Sequence, residues 1–113
     1  MWQDNEATVS KKLNILESKI YCQDLILANR KDWRVPFYEE LLELVDYDKV
    51  NPASIDTIQY IKPTKYWTLS KNIKQPTEFW YVDFQEGITN FESKMVKNKI
   101  RCVREISKKA GEY

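Results

Sequence analysis

Phe79-Trp80-Tyr81-Val82-Asp83-Phe84, followed by Gln85-Glu86-Gly87 and then Ile88-Thr89-Asn90-Phe91, decides the fold class. Aromatic and β-branched residues, a short break holding glycine, and a second such run read as an antiparallel hairpin. With a two-residue period, Trp80, Val82 and Phe84 point one way and Phe79, Tyr81 and Asp83 the other. Tyr66 to Leu69 reads as a strand before it, joined by a turn-rich connection over 71–77. Lys99 to Arg104 reads as the last strand. There Ile100 and Cys102 share one face, and Lys99, Arg101 and Val103 share the opposite one. Met1 to Gln3 opens a short strand.

Upstream the period changes. Leu13, Leu16 and Ile20, with Leu27 in phase, predict an amphipathic helix over 13–26. Asn14 or Ser10 is its cap. Ala28 to Asp32 is a polar turn in which Asn29 is best suited to a left-handed conformation. Trp33-Arg34-Val35 is extended, because residues before proline avoid the helical region. Pro36 then starts a second helix, Phe37 to about Val45, with Phe37, Leu41, Leu44 and Val45 on one face. Asp46 to Lys65 holds Pro52 and Pro63 and reads as irregular, with a short strand at Tyr60-Ile61. Helices early and strands late make an α+β domain with long irregular loops.

Composition narrows the function. The 113 residues suit one domain, 1–113, with 42% apolar and 13% aromatic side chains to build one core. No apolar run reaches the length of a membrane span. No signal peptide is visible at Met1 to Glu6. Histidine is absent, which removes Ser-His-Asp and Cys-His catalysis and histidine-ligated metal. Two cysteines are too few for a four-sulfur zinc site, and two glycines, Gly87 and Gly111, are too few for a phosphate loop. Net charge is +1, unevenly spread: residues 1–57 carry 7 basic and 11 acidic side chains, and 58–113 carry 11 basic and 6 acidic. Residues 94–109 hold seven cations, including Lys108 and Lys109, against Glu105. Such a dipole steers an anionic partner, or is simply a solvated basic strand and tail. A pI of about 7.7 argues against nucleic acid. For Cys22 and Cys102 two readings stand: buried free thiols, or a bridge between helix and last strand.

The motifs Met1-Trp2-Gln3-Asp4-Asn5, Tyr21-Cys22-Gln23-Asp24-Leu25, Asp32-Trp33-Arg34-Val35-Pro36, Glu40-Leu41, Val45-Asp46-Tyr47, Asn51-Pro52-Ala53, Tyr66-Trp67, Trp80-Tyr81-Val82-Asp83-Phe84 and Arg101-Cys102-Val103-Arg104 occur in that order. The chain resembles the bacterial family once called DUF1566, now named for the C-terminal domain of the Legionella collagen-like adhesin. The resemblance covers nearly the whole chain. It implies a C-type-lectin-like fold, two helices flanking a twisted antiparallel sheet, with Cys22 bridged to Cys102. A bridge implies an oxidising compartment: periplasm, cell surface or outside. Because Met1 falls inside the first motif, the resemblance also implies a natural protein extending further N-terminally. Three positions depart from the family: Asn29 replaces a usual glycine, Phe37 replaces a small polar cap, and Thr68-Leu69 replace two serines.

The candidate chemistry is thin. Gln75-Pro76-Thr77 is a near miss for a calcium-lectin motif and reads as a turn, and Trp80 is not followed by oxygen ligands. Asp46 and Asp48 read as a solvated helix exit. Asp32 and Arg34 flank Trp33 as an ion pair or cap. The formylglycine-generating enzymes, a distant branch sharing Arg34-Val35-Pro36 and Glu40, use a reactive cysteine pair, whereas Cys22 and Cys102 occupy bridge positions. No cofactor, metal or catalytic residue is therefore expected. Aromatic and basic residues interleave at Tyr60, Lys62, Lys65 and Tyr66-Trp67, and Lys97, Lys99 and Arg101 add a second basic surface. Tyr60, Lys62, Lys65, Lys97, Lys99 and Arg101 are the binding candidates, with loops 46–65 and 70–78 as the recognition surface. The resemblance implies adhesion or ligand recognition, and relatives include a domain that binds sulfated glycosaminoglycans. The alternatives are an assembly module of a surface protein that contacts other proteins, and an enzyme of the formylglycine branch.

Overall fold

A computed structural model describes residues 1–105. Lys108 and Lys109, counted in the basic run, lie outside the described residues. Among the described residues, three helices, α1 (Ala7–Ser10), α2 (Ile15–Asp24) and α3 (Tyr38–Leu42), accompany five strands. The strands are β1 (Lys12–Leu13), β2 (Lys65–Asn72), β3 (Gln75–Asp83), β4 (Ile88–Ser93) and β5 (Asn98–Lys99). They form one sheet in the order β1-β5-β2-β3-β4. All pairings are antiparallel except β2 with β5, so the sheet is mixed rather than purely antiparallel. This is the α+β architecture of a small C-type-lectin-like domain.

The two-residue period of β2 and β3 divides the core. Trp67, Phe79 and Tyr81 join Ile15, Cys22, Trp33, Ile100 and Cys102 in one cluster. Tyr66, Val82 and Phe84 join Leu41, Leu44 and Val45 in the other. Adjacent residues thus serve opposite faces of one sheet. The β3–β4 turn needs Gly87, whose φ is +80°, and a Cβ there would lie 2.7 Å from Val45 Cγ1. Cys22 and Cys102 are disulfide-bonded, tying α2 to the segment after β5 across a sequence separation of 80.

Several expectations change. The first helix buries Ile15, Ser18 and Cys22, while Leu16 and Ile20 are 67% and 51% exposed. The disulfide fixes the rotation of the helix, and Ser18 is small enough to let it sit close to the sheet. Apolar periodicity alone predicts the wrong face. Asn14 caps α2: it accepts from Glu17 N at 2.9 Å, while Glu17 accepts from Asn14 N at 3.0 Å. Segment 71–77 is not a turn-rich loop but a tight hairpin with Ile73-Lys74 at its tip, and Gln75-Pro76 begin β3. Tyr60-Ile61 forms no strand. β5 covers only two residues, and the run continues as isolated bridges from Val103 to Trp2 and Arg34. Those bridges also bring in the predicted Met1–Gln3 strand.

The second helix is shorter than predicted, and Phe37 at its N-cap is half-exposed. Phe37 has no side-chain oxygen, so the cap is assembled from elsewhere. Tyr38 N donates to Ser70 Oγ at 3.0 Å and Phe37 N to Glu40 Oε1 at 2.8 Å. Arg34 clamps the Glu40 carboxylate through two bonds of 2.8 and 2.7 Å. Asp32 pairs instead with Arg104, at 3.6 Å. The long segment after α3 is irregular yet anchored. Asn51 N and Ala53 N donate to Gln85 O and Phe84 O, and Ile55 N to Leu44 O.

Candidate functional site

Arg101 lies two residues beyond the end of β5, and its side chain turns toward Tyr66 rather than toward water. The Arg101 side chain is wholly buried. Its guanidinium donates to the carbonyls of Gln3 and Tyr60, and to Asp4 Oδ1 at 3.3 Å. It also lies 5.8 Å from the centroid of the Tyr66 ring. Arg101 is therefore a positioning group beneath the surface, not a surface cation. Strand alternation places it on one face with Lys99, but its buried surroundings at residues 3–4, 60 and 66 are not visible in the sequence.

Asp4 completes this network. Its carboxylate accepts from Gln59 N at 2.9 Å and Tyr60 N at 2.8 Å. Partial burial opposes its charge, but those amides and the Arg101 charge outweigh it and hold the carboxyl below its ordinary pKa. Tyr66 Oη donates to Thr8 O at 2.6 Å and accepts from Lys62 N at 3.2 Å. Burial pushes the Tyr66 hydroxyl up and the Arg101 guanidinium down. Segment 59–62 is thus fixed at the backbone by charged and hydrogen-bonded groups below it. Tyr60 stays 44% exposed, and Lys62 is exposed.

The same place gathers Lys12, Lys62 and Lys99. Lys12 and Lys99 face each other across the β1–β5 pairing, and Lys99 is also paired with Tyr66 of β2. Partial burial lowers the pKa of Lys99, and repulsion from Lys12 and Lys62 lowers it further. Among the described residues, no carboxylate lies within 4 Å of any of these three ammonium groups. Three unneutralised cations, one of them on the segment that also carries the exposed Tyr60, can receive sulfate or carboxylate groups.

The other candidates fall elsewhere. Lys65 pairs with Glu92 at 3.0 Å and lies 4.9 Å from the Tyr81 ring centroid, on the Trp67 side of the sheet. Lys97 lies 3.7 Å from Glu17. Both are partly neutralised and separate from the patch. Of the predicted surface, segment 46–65 contributes Tyr60 and Lys62, whereas 70–78 is a β-hairpin edge. Lys12 is a member of this cluster of cations that sequence reasoning does not find. It precedes the helix in sequence, and only the non-local β1–β5 pairing brings it to Lys99. Among the described residues, no group of three or more acidic or sulfur side chains is placed to hold a metal.

Residues 1–104 match the family model described as the Lcl C-terminal domain. The chain belongs to that family. No curated protein and no solved structure matches it significantly. The Lcl C-terminal domain is a domain of surface proteins. With the Cys22–Cys102 disulfide, membership in it points to an extracytoplasmic location. Among the described residues, no helix is long and apolar enough to cross a membrane.

Proposed function

We propose that this chain is a non-catalytic binding domain, at the cell surface, in the periplasm or secreted, that recognises anionic polysaccharide. The patch formed by Lys12, Lys62 and Lys99, with Tyr60 beside it, is the contact surface. The observation that carries this reading is the convergence of three ammonium groups without a carboxylate partner, on backbone held from below by Arg101, Asp4 and Tyr66. A flexible polyanion gains from several such contacts at once, and a sugar face stacks on the Tyr60 ring. The non-catalytic part of the reading is supported by the sulfur chemistry, since both thiols are consumed in the disulfide.

Backbone amide shifts during titration with heparin test the surface. Saturable shifts confined to residues 10–13, 59–63 and 98–100 are the expected result. Shifts centred on Lys65 or Lys97, or none at low salt, overturn it. Self-association that perturbs the same residues without polysaccharide would instead make this face an assembly contact.

A further inference from the structure

Leu16 and Ile20 have the spacing of core residues, yet they face outward. Leu16 forms one wall of a cavity of about 350 Å³, between the first turn of α2, the β2–β3 hairpin and the turn after β4. That size lies within the usual range of small-molecule sites, about 300–1,000 Å³. Phe79, only 3% exposed, lies at its base, and Met95, 69% exposed, lines it as well. Lys19, Lys71 and Lys94 also line the cavity, with no acidic residue among the lining groups. Among the described residues none of these three lysines has a carboxylate within 4 Å.

The backbone holds this cavity in shape. Ile15 N donates to Lys94 O at 3.1 Å, and Lys94 N to Thr77 O at 2.8 Å. Trp67 Nε1 donates to the carbonyls of Leu13 and Val96. Lys71 is the direct cross-strand partner of Phe79, which sets one cation beside the apolar base. Helix, hairpin and turn are thereby fixed relative to one another.

We infer that this cavity binds a small amphipathic anion: an apolar chain or ring carrying one carboxylate or sulfate. The apolar part lies against Leu16, Phe79 and Met95, and the anionic head is held by Lys19, Lys71 and Lys94. Removing apolar surface from water supplies affinity, and the lysines select the sign of the head group. The site is separate from the Lys12–Lys62–Lys99 patch and does not depend on it.

Sodium decanoate below its micellar concentration is the probe, followed by calorimetry and by amide shifts. Acetate has the same head without a tail, and decyltrimethylammonium has the same tail with the opposite charge. Saturable binding of decanoate at one site is expected, with shifts at Leu16, Phe79 and Met95. Acetate and decyltrimethylammonium should bind at least tenfold more weakly. Lys71→Glu with Lys94→Glu should weaken decanoate at least tenfold, and Leu16→Gln should also weaken it. All three positions are exposed, and Lys12→Gln with Lys62→Gln should leave decanoate binding unchanged. No decanoate binding, equal binding of decyltrimethylammonium, or indifference to the Lys71 and Lys94 changes would overturn the inference.

Discussion

Lys12 and Lys99 stand directly opposite one another in the antiparallel pairing of β1 with β5. Like charges in that relation destabilise a sheet. Lys62 adds a third charge, and Lys99 is shifted below the usual lysine pKa by burial and by both neighbours. A residue placed against its own stability is a candidate for function. Lys12→Thr should therefore raise stability by about 0.5 kcal/mol, read from urea unfolding. The same change should weaken binding to heparin. A loss of stability would show that the two ammonium groups do not repel in the folded chain.

The disulfide closes most of the domain into one loop, and both sulfurs are buried. Its removal restores a large number of unfolded conformations. Cys22→Ala with Cys102→Ala should cost about 4 kcal/mol by chain entropy, measured by urea unfolding beside the oxidised parent. Alkylation of the denatured, unreduced protein should label no thiol.

Arg101 is charged, buried and hydrogen-bonded to three separate groups, the Gln3 and Tyr60 carbonyls and the Asp4 carboxylate. Truncating such a side chain strands its partners. Arg101→Met should cost about 3 kcal/mol. Arg101→Lys should recover little of it, because one ammonium cannot reproduce the forked donor geometry. Stability near the parent value in the Met variant would mean that the network is not a structural tie.

Glu40, Asp4 and Glu92 are all held below their ordinary values, and two of them, Glu40 and Asp4, are bound to arginines. Hydrogen bonding from Arg34 holds Glu40 below its ordinary value of 4.5, burial opposing, and Asp4 lies below 3.8. Both are depressed in the folded state, so their contribution is complete above those ordinary values and disappears as pH falls through the folded ones. The urea midpoint should be level from pH 7 to about 5.5 and fall below about pH 4. Asp4→Asn should lower the level part and flatten the fall. A midpoint that rises on acidification would contradict this sign.

The hairpin around Gly87, the α+β order and the extended Trp33-Arg34-Val35 segment are legible in the sequence because each rests on local chemistry: period-two apolar runs, a glycine turn, a following proline. The α2 cap is legible as Asn14 or Ser10 for the same reason. The rotation of α2 is not, because the bond from Cys22 to Cys102 sets it and outweighs the Leu16–Ile20 pattern. The patch is half legible. Lys62 stands out as a cation among aromatics and Lys99 as part of a second basic surface, but Lys12 joins them only through the pairing of β1 with β5, from opposite ends of the chain. Arg101 looks like its neighbour Lys99, and only the tertiary pocket around Asp4, Tyr60 and Tyr66 distinguishes a buried tie from a surface charge.

Heparin-column retention against salt gives the most direct test of the binding surface. Two variants of equal net charge are compared with the parent: Lys12→Gln, Lys62→Gln and Lys99→Gln together, and Lys31→Gln, Lys74→Gln and Lys97→Gln together. The first should elute early and show a shallower salt slope, by roughly one unit for each anionic group it no longer neutralises, while the second elutes close to the parent. Equally early elution of both, or no retention of the parent at low salt, would contradict a binding surface at Lys12, Lys62 and Lys99.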